Sequence, residues 1–401
     1  MDVALFLGAL ALSAGWNTAL VTVGAALLGA AAGAAGAFLF LRRRALAADA
    51  AAHATLPGVA LAFIAMVWMG GDGRWLPGLM LGSAASAALG LWAVEAIPRR
   101  TRLGEDAAIG GVLASFFGFG VVLLTVIQAM PGGRQAGLDG FLLGATAGML
   151  QAEALTIASM GAALALATFA LRRPMTLASF DPGYAAAVGV NVRAVDLAIL
   201  ALALAVTVTG LKVVGLILIV ALLIIPPAAA RFWTERVDLT ALGAALIGAV
   251  SAWIGAALSA AIPGAPTGAL VVLSAAALFT VSMLMAPKRG ALAEALARRR
   301  LSRRVHRRQG LLALARGEAI HDRDSLRALR GEGLIGRDGA PTMAGRAAAA
   351  AALRDEARWA LARADAPGAP GMEGLRPIAE AFTPDEIAAF DARLGALRLA
   401  P

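Results

Sequence analysis

The sequence predicts an all-α polytopic membrane protein of eight to nine spans, followed by a small cytoplasmic α+β unit of winged-helix character. Three observations point there. Of 401 residues 60% are hydrophobic and 15% charged, where soluble domains hold about 45–50% apolar residues. Apolar runs of spanning length recur as far as Met285, joined by connections that are alternately arginine-rich and nearly uncharged. Beyond Lys288 the character reverses into a charged stretch containing the run RRRLSRRVHRR at 298–308.

Residues 1–16 read as an apolar lead-in, too short to span and lacking the basic start of a signal peptide. A crossing helix needs about 20 mostly apolar residues. Within a membrane domain at 17–287, candidates lie at 17–41, 50–70, 76–97, 107–130, 147–171, 194–213, 214–233, 238–261 and 267–286. The first carries Gly24, Gly29, Gly33 and Gly36, a small-residue ladder that lets helices approach closely. Arg42–Arg44, Arg99–Arg102, Arg172–Arg173, Arg231 and Arg236 mark loops that the positive-inside rule makes cytoplasmic. The N-terminus then lies outside and the C-terminus inside.

The connection at 174–193 is longer than its neighbours. Asp181 reads as an N-cap, Pro182 as the first helical position, Tyr184 and Ala185 as one helical turn, and Gly189 as its stop. A short capped helix at the membrane surface is a docking element for a soluble partner; an ordinary loop with one helical turn fits the spacing equally well. In the unit at 288–365, SLRALRGEGLIGRDGAPTMAGRAAAAAALRDEARW reads as helix, turn, short β-wing and a helix capped by Thr342. Leu326, Leu329, Leu334 and Ile335 supply its apolar face. Residues 366–401 are a linker and a final helix near 383–399.

Composition excludes several chemistries. There is no Cys, so neither disulfides nor thiolate metal sites exist, and the imidazoles are His53, His306 and His321. Neither Lys212 nor Lys288 lies in a GxxxxGK[ST] loop, so any work done by this chain draws on a partner or on an ion gradient.

The stretch ADAAAHATLPG at 48–58 carries the chemistry. Asp49 and His53 stand four residues apart, on one helix face, where they can hold one cation together. Pro57 has no N–H and frees the carbonyl of His53; with Gly58 it predicts a helix break beside the pair. Spacing alone slightly favours a blander reading, with Asp49 as a helix cap and His53 in a packing face. Depth argues the other way: His53 lies about 15 Å along the helix from Arg43, and an acid at mid-membrane costs about 2.5–3.5 kcal/mol.

DAAAHATLPGVALAF resembles the signature of the zinc, manganese and iron class of ABC-transporter permeases, Asp-Ala-x-Ser-His-Ala-x-Leu-Pro-Gly-Val-Ala. FLFLRRRALAADA, LGEDAAIGGVLASFFGFGVVLL, the long segment from SFDPGYAAAVGVNVR to LLIIPPAAARFW, IPGAPTGALVVL and MAPKRG resemble further family segments in the same order. The resemblance covers most of residues 15–290. It implies a multi-pass protein of the bacterial plasma (inner) membrane, not itself an enzyme, with Asp49 and His53 as intramembrane ligands of a transported manganese, zinc or iron ion. It implies that the element from Asp181 through Pro182, Tyr184 and Ala185 to Gly189 couples to a separate ABC ATPase. It further implies ATP on that partner, no permanently bound cofactor, an extracytoplasmic metal-binding protein, and a second permease subunit that is a copy or a paralogue. Ala52 stands where the family often has Ser, and Gly183 where an acid is common.

The C-terminal unit resembles the winged-helix domain of metal-dependent iron and manganese repressors, without their metal ligands. DNA is the less favoured partner; packing against a protein partner, with the run at 298–308 on lipid headgroups, is favoured. Two other functions compete with an ATP-driven permease: a proton-coupled secondary metal transporter, and a membrane-tethered metal-responsive regulator.

Overall fold

The computed structural model describes residues 3–130, 151–365 and 377–399, apart from positions 72, 74, 212, 263, 288 and 337. It divides into two compact units, Met1–Ala291 and Leu292–Pro401. In the first, α1 (Val3–Leu10) precedes α2 (Trp16–Leu41), α3 (Ala45–Trp68), α4 (Leu76–Arg100) and α5 (Glu105–Ala129). Then follow α6 (Gln151–Phe180), the short α7 (Pro182–Ala187), α8 (Val192–Gly210), α9 (Leu216–Arg231), α10 (Val237–Ala261) and α11 (Thr267–Met285).

Eight of these helices are long and apolar enough to cross a membrane. The chain is therefore a multi-pass membrane protein. The ninth expected span, 214–233, is α9, whose 16 residues reach about 24 Å, short of the roughly 30 Å hydrocarbon core. It is an interior helix, with Ile219, Leu222 and Leu223 wholly buried.

α2 is the hub because its glycines let other backbones touch it. A Cβ on Gly29 would lie 2.3 Å from the Gly248 carbonyl of α10, on Gly33 2.0 Å from that of Ala244, and on Gly36 2.0 Å from that of Leu223 in α9. Lipid tails are as apolar as Leu, so close van der Waals packing of this kind, not water expulsion, holds the bundle together. The helix ends differ in character. Trp16, Trp68 and Trp75 stand exposed at one end of α2, α3 and α4, while Arg42, Arg44, Arg99 and Arg100 mark the other. Interfacial aromatics and basic loops are what anchor such helices at the two membrane surfaces.

The surface connection expected at 174–193 begins later. α6 runs without a break through Pro174 to Phe180, because Met175 and Ala178 are buried and packing holds the helix past the lost hydrogen bond. The connection starts at Asp181.

The second unit contains α12 (Ala291–Arg316), which begins at the boundary, then α13 (Arg323–Gly331), α14 (Met343–Asp365), a 3-10 turn at Ile378–Glu380 and α15 (Pro384–Leu399). Leu311, Leu329, Leu334, Ile335 and Ala349 form one core cluster, and Trp359, Ala362, Ile378 and Phe390 a second. Arg358 binds Asp391 through two hydrogen bonds of 2.7 and 2.6 Å, tying α14 to α15. Thr342 caps α14, its hydroxyl accepting from Gly345 N–H at 3.1 Å. The expected α+β wing is not formed. Among the described residues there is no strand, only a single antiparallel bridge between Ile335 and Pro341. Pro341 has no N–H with which to extend a ladder, and Met343 already opens the next helix.

Candidate metal centre

α3 is built from small residues so that its neighbours can close around it. Ala50, Ala52 and Ala54 are wholly buried, and Ala50 packs with Val94, Ile109 and Val112 of α4 and α5. Against that background Asp49 and His53 stand out: their side chains keep 35% and 18% of their exposure. They share one open face.

The two side chains lie side by side, with His53 Nε2 3.6 Å from Asp49 Oδ1, too far for a good hydrogen bond. That separation leaves room for one cation between the two atoms. A cation at about 2.1–2.2 Å from both atoms would subtend an angle of about 110–120°, within the range of tetrahedral and trigonal sites. The imidazole is oriented by α5: Phe117 meets it edge to face, with ring centroids 5.1 Å apart and planes at 89°. Gly120 makes that approach feasible, since a Cβ there would fall 2.7 Å from Leu56 Cγ on α3. His53 Nδ1 is buried without a hydrogen-bond partner among the described residues, which leaves Nε2 as the nitrogen facing the acid. Among the described residues no three His, Cys, Asp or Glu gather as a cluster. Asp49 and His53 stand as a pair, without a third such side chain beside them among the described residues.

Pro57 and Gly58 do not break the helix. α3 is continuous from Ala45 to Trp68, and both residues are buried. Pro57 still cannot donate to the His53 carbonyl. Gly58 serves a contact: a Cβ there would lie 2.1 Å from the Gly82 carbonyl and 2.6 Å from Ser86 Cβ on α4. Packing from α4 and α5 keeps the helix continuous across a position that would interrupt it in isolation.

At the arginine end, α7 has every feature of a capped surface turn. Tyr184 N–H donates to Asp181 Oδ1 at 2.9 Å, with Pro182 at the first position. Gly189 has φ 88°, the left-handed value that favours glycine. Val190 N–H reaches the Ala185 carbonyl at 2.9 Å and Gly189 N–H that of Ala186 at 3.1 Å, which completes a Schellman stop. Ala185 is wholly buried against the bundle, whereas Phe180, Tyr184 and Val188 are 84%, 58% and 52% exposed. Phe180 closes α6, Tyr184 lies in α7 and Val188 is its C-cap.

Sequence reasoning overlooked two participants. Phe117 was hidden inside the run FFGFG, with only Gly120 three residues on as a hint of close approach. In the sequence Arg42 marks only orientation, yet it pairs with Asp196, 154 residues away, a distance no local pattern spans.

An all-helical, many-spanning bundle with an acid–imidazole pair open on a buried helix, and a capped helix at one surface, has the make-up of a membrane permease. The particular family follows from comparison: residues 17–286 match the ABC 3 transport family, and the chain belongs to it. The manganese transport system membrane protein MntC of Bacillus subtilis (strain 168) is 42% identical over 298 residues, 74% of this chain and 67% of its own length. The zinc transport system membrane protein TroC of Treponema pallidum (strain Nichols) is 36% identical over 282 residues, 70% of this chain and 93% of its own. Among solved structures, PsaBC from Streptococcus pneumoniae in complex with Fab superposes with a TM-score of 0.62 at 29% identity, covering 72% of this chain and 97% of that one.

Proposed function

We propose that this chain is the membrane-spanning permease subunit of an ATP-driven importer for a divalent metal ion, with Asp49 and His53 as ligands on the ion's path. The carrying observation is the open acid–imidazole pair, donors 3.6 Å apart, in a stretch of α3 (47–60) whose other residues are buried. One carboxylate and one imidazole suit manganese, iron or zinc; manganese and zinc are the ions named for the relatives above. Two donors are too few for any of these, so a second permease subunit, a copy or a paralogue, completes the shell together with water or a backbone carbonyl. Hydrolysis belongs to a separate ATP-binding partner, and the subunit itself is not an enzyme.

That partner docks on the element from Asp181 to Gly189, where the exposed Phe180, Tyr184 and Val188 offer it apolar contacts. An extracytoplasmic binding protein delivers the ion at the tryptophan end. The arginine end and the Leu292–Pro401 unit face the cytoplasm of a bacterial inner membrane. That unit, in this reading, is a packing module against a protein partner, its arginines at 298–308 touching lipid headgroups, and DNA readout by a wing is not part of it.

The test is uptake of radioactive manganese and zinc by the full transporter in proteoliposomes, comparing wild type with Asp49→Ala and His53→Ala. Both variants are expected to insert and assemble but to lose uptake. Normal uptake by both overturns the site.

A further inference from the structure

We infer that Arg42 is a positioning residue that joins the ATPase-docking element to the metal ligands; this rests on the function proposed above. Arg42 forms the C-cap of α2, its N–H bonded to the Phe38 carbonyl at 3.0 Å. Its guanidinium reaches two elements at once. Nη1 donates to the carbonyl of Ala178, in the last turn of α6, at 3.0 Å, and Nη2 to Asp196 Oδ2, in the second turn of α8, at 2.7 Å. α6 and α8 are the two helices between which α7 is strung, and α7 packs against both. One side chain therefore holds both roots of the docking element.

The other side of Arg42 leads directly to the site. Arg43 turns the corner with φ 58°, a left-handed conformation that a non-glycine residue keeps only when its surroundings hold it there. Arg44 is fixed in turn by Glu95 of α4 at 3.1 Å, and its carbonyl accepts from Ala47 N–H at 3.2 Å in the first turn of α3. Asp49 follows five residues after Arg44. A displacement of α7 relayed to the ends of α6 and α8 thus reaches α3 through a pinned corner, not through a slack loop.

Burial makes the link stiff. The Arg42 and Asp196 side chains retain 17% and 16% exposure, and Arg42 Nε and Asp196 Oδ1 are buried with no hydrogen-bond partner among the described residues. Removing one charge strands the other in a poorly hydrated place, so the pair moves as a unit or separates. Residues along such a connection change coupling between sites while touching neither ligand.

The experiment measures metal uptake per ATP hydrolysed in proteoliposomes holding the permease with its ATPase and binding protein. For Asp196→Asn the expected result is a fall in that ratio of roughly tenfold, within the 2- to 30-fold span of such coupling effects, with basal hydrolysis kept to within about twofold. The charge swap Arg42→Asp with Asp196→Arg restores the ion pair but not the donation to Ala178, and is expected to recover part of the ratio. A ratio unchanged in Asp196→Asn, hydrolysis and uptake falling in parallel, or a swap no better than the single change would each overturn the inference. Should Asp196→Asn fail to assemble, Arg42→Lys carries the same test, since it keeps the charge and gives up the second hold on Ala178; its ratio is expected to fall, and an unchanged ratio overturns the inference. Asp49→Ala in the same vesicles separates the two claims. Its full uptake sinks the metal-site reading, whereas its loss of uptake beside a normal Asp196→Asn sinks only the role of Arg42.

Discussion

Gly58→Ala is the sharpest probe of how α3 carries its ligands. A Cβ at that position would sit 2.1 Å from the Gly82 carbonyl oxygen, where ordinary contact begins near 3.4 Å. The obstacle is backbone, so no side chain can swing aside, and the helices must part by about 1 Å. Gly82 has the reciprocal problem, with its own Cβ position 2.5 Å from the Gly58 carbonyl, so the contact cannot be relieved by rotating one helix. Overpacking of this kind costs about 1–3 kcal/mol. His53 lies five residues earlier on the same helix, and a 1 Å misplacement of reacting groups can cost about a hundredfold in rate. The expectation is a melting temperature in detergent lowered by several degrees, and uptake reduced by roughly ten- to a hundredfold. Gly118→Ala on α5 is the control. Nothing lies within 4 Å of its Cβ position, and the helix gains up to about 1 kcal/mol from the better helix former. Equal melting and equal uptake in the two variants would refute the packing argument. A raised melting temperature with lost uptake in Gly58→Ala would instead mark Gly58 as a hinge.

Three further perturbations test other parts of the chain. Asp181→Ala removes the acceptor for Tyr184 N–H, at a cost of about 1 kcal/mol, and is expected to lower metal-stimulated ATP hydrolysis, whereas Asp181→Asn keeps the cap and the activity; equal loss in both would show that charge, not capping, matters. Phe117→Ala frees the His53 ring and is expected to raise the apparent KM for metal uptake more than it lowers the maximal rate, so the two constants measured separately decide it. In the second unit, donation from the Ser325 hydroxyl and N–H pulls the Asp322 carboxyl down to about 2. A lowered value stabilises the folded form fully above the ordinary carboxylate range near about 3.9, and that contribution disappears as pH falls through about 2. Hydrogen exchange in the full chain should show α13 amides protected at about pH 4 and released towards about pH 2, with that dependence flattened in Asp322→Asn; an unchanged profile would contradict the assignment.

Much of the fold is readable locally, because a membrane imposes local rules. Each spanning helix has to satisfy its own backbone and match the bilayer, so long apolar runs bounded by arginines identify α2 to α6, α8, α10 and α11 without tertiary information. The glycines of α2 were equally visible, since close packing is nearly their only use in such a helix. What local pattern misreads is any residue whose effect neighbours overrule. Pro57 and Pro174 each argue for an interruption, yet α3 and α6 pass straight through them under packing from other helices. The wing failed for the opposite reason. Gly336 and Gly339 do turn the chain, but Pro341 and the early start of α14 stop the pairing at a single bridge. Asp49 with His53 was visible as a spacing; that both remain open while Ala48, Ala50, Ala51 and Ala52 are closed off is a tertiary fact. The Arg42–Asp196 pair belongs wholly to the tertiary level.

Under the proposed function, a site of two donors per subunit also answers why an acid and an imidazole are tolerated in such a helix. A complete shell of four to six ligands on one chain would bind its ion too well to release it, since conduction requires a site weak enough to leave. Splitting the shell between subunits, or between protein and water, makes affinity depend on how the two halves stand relative to each other. A change of about 1 Å in that spacing is then enough to take one half's donors out of reach of an ion held by the other. This places the control of affinity outside the ligands, in the supports that set where α3 stands: Gly58 against Gly82, Phe117 against His53, and the pinned corner at Arg42 to Arg44. It follows that variants of the supports should change release and coupling while leaving the metal preference alone, whereas Asp49→Ala and His53→Ala should abolish uptake of both ions. Competition between manganese and zinc for uptake, measured in Gly58→Ala and Phe117→Ala, distinguishes the two: an altered preference in either would mean that the supports shape the shell itself.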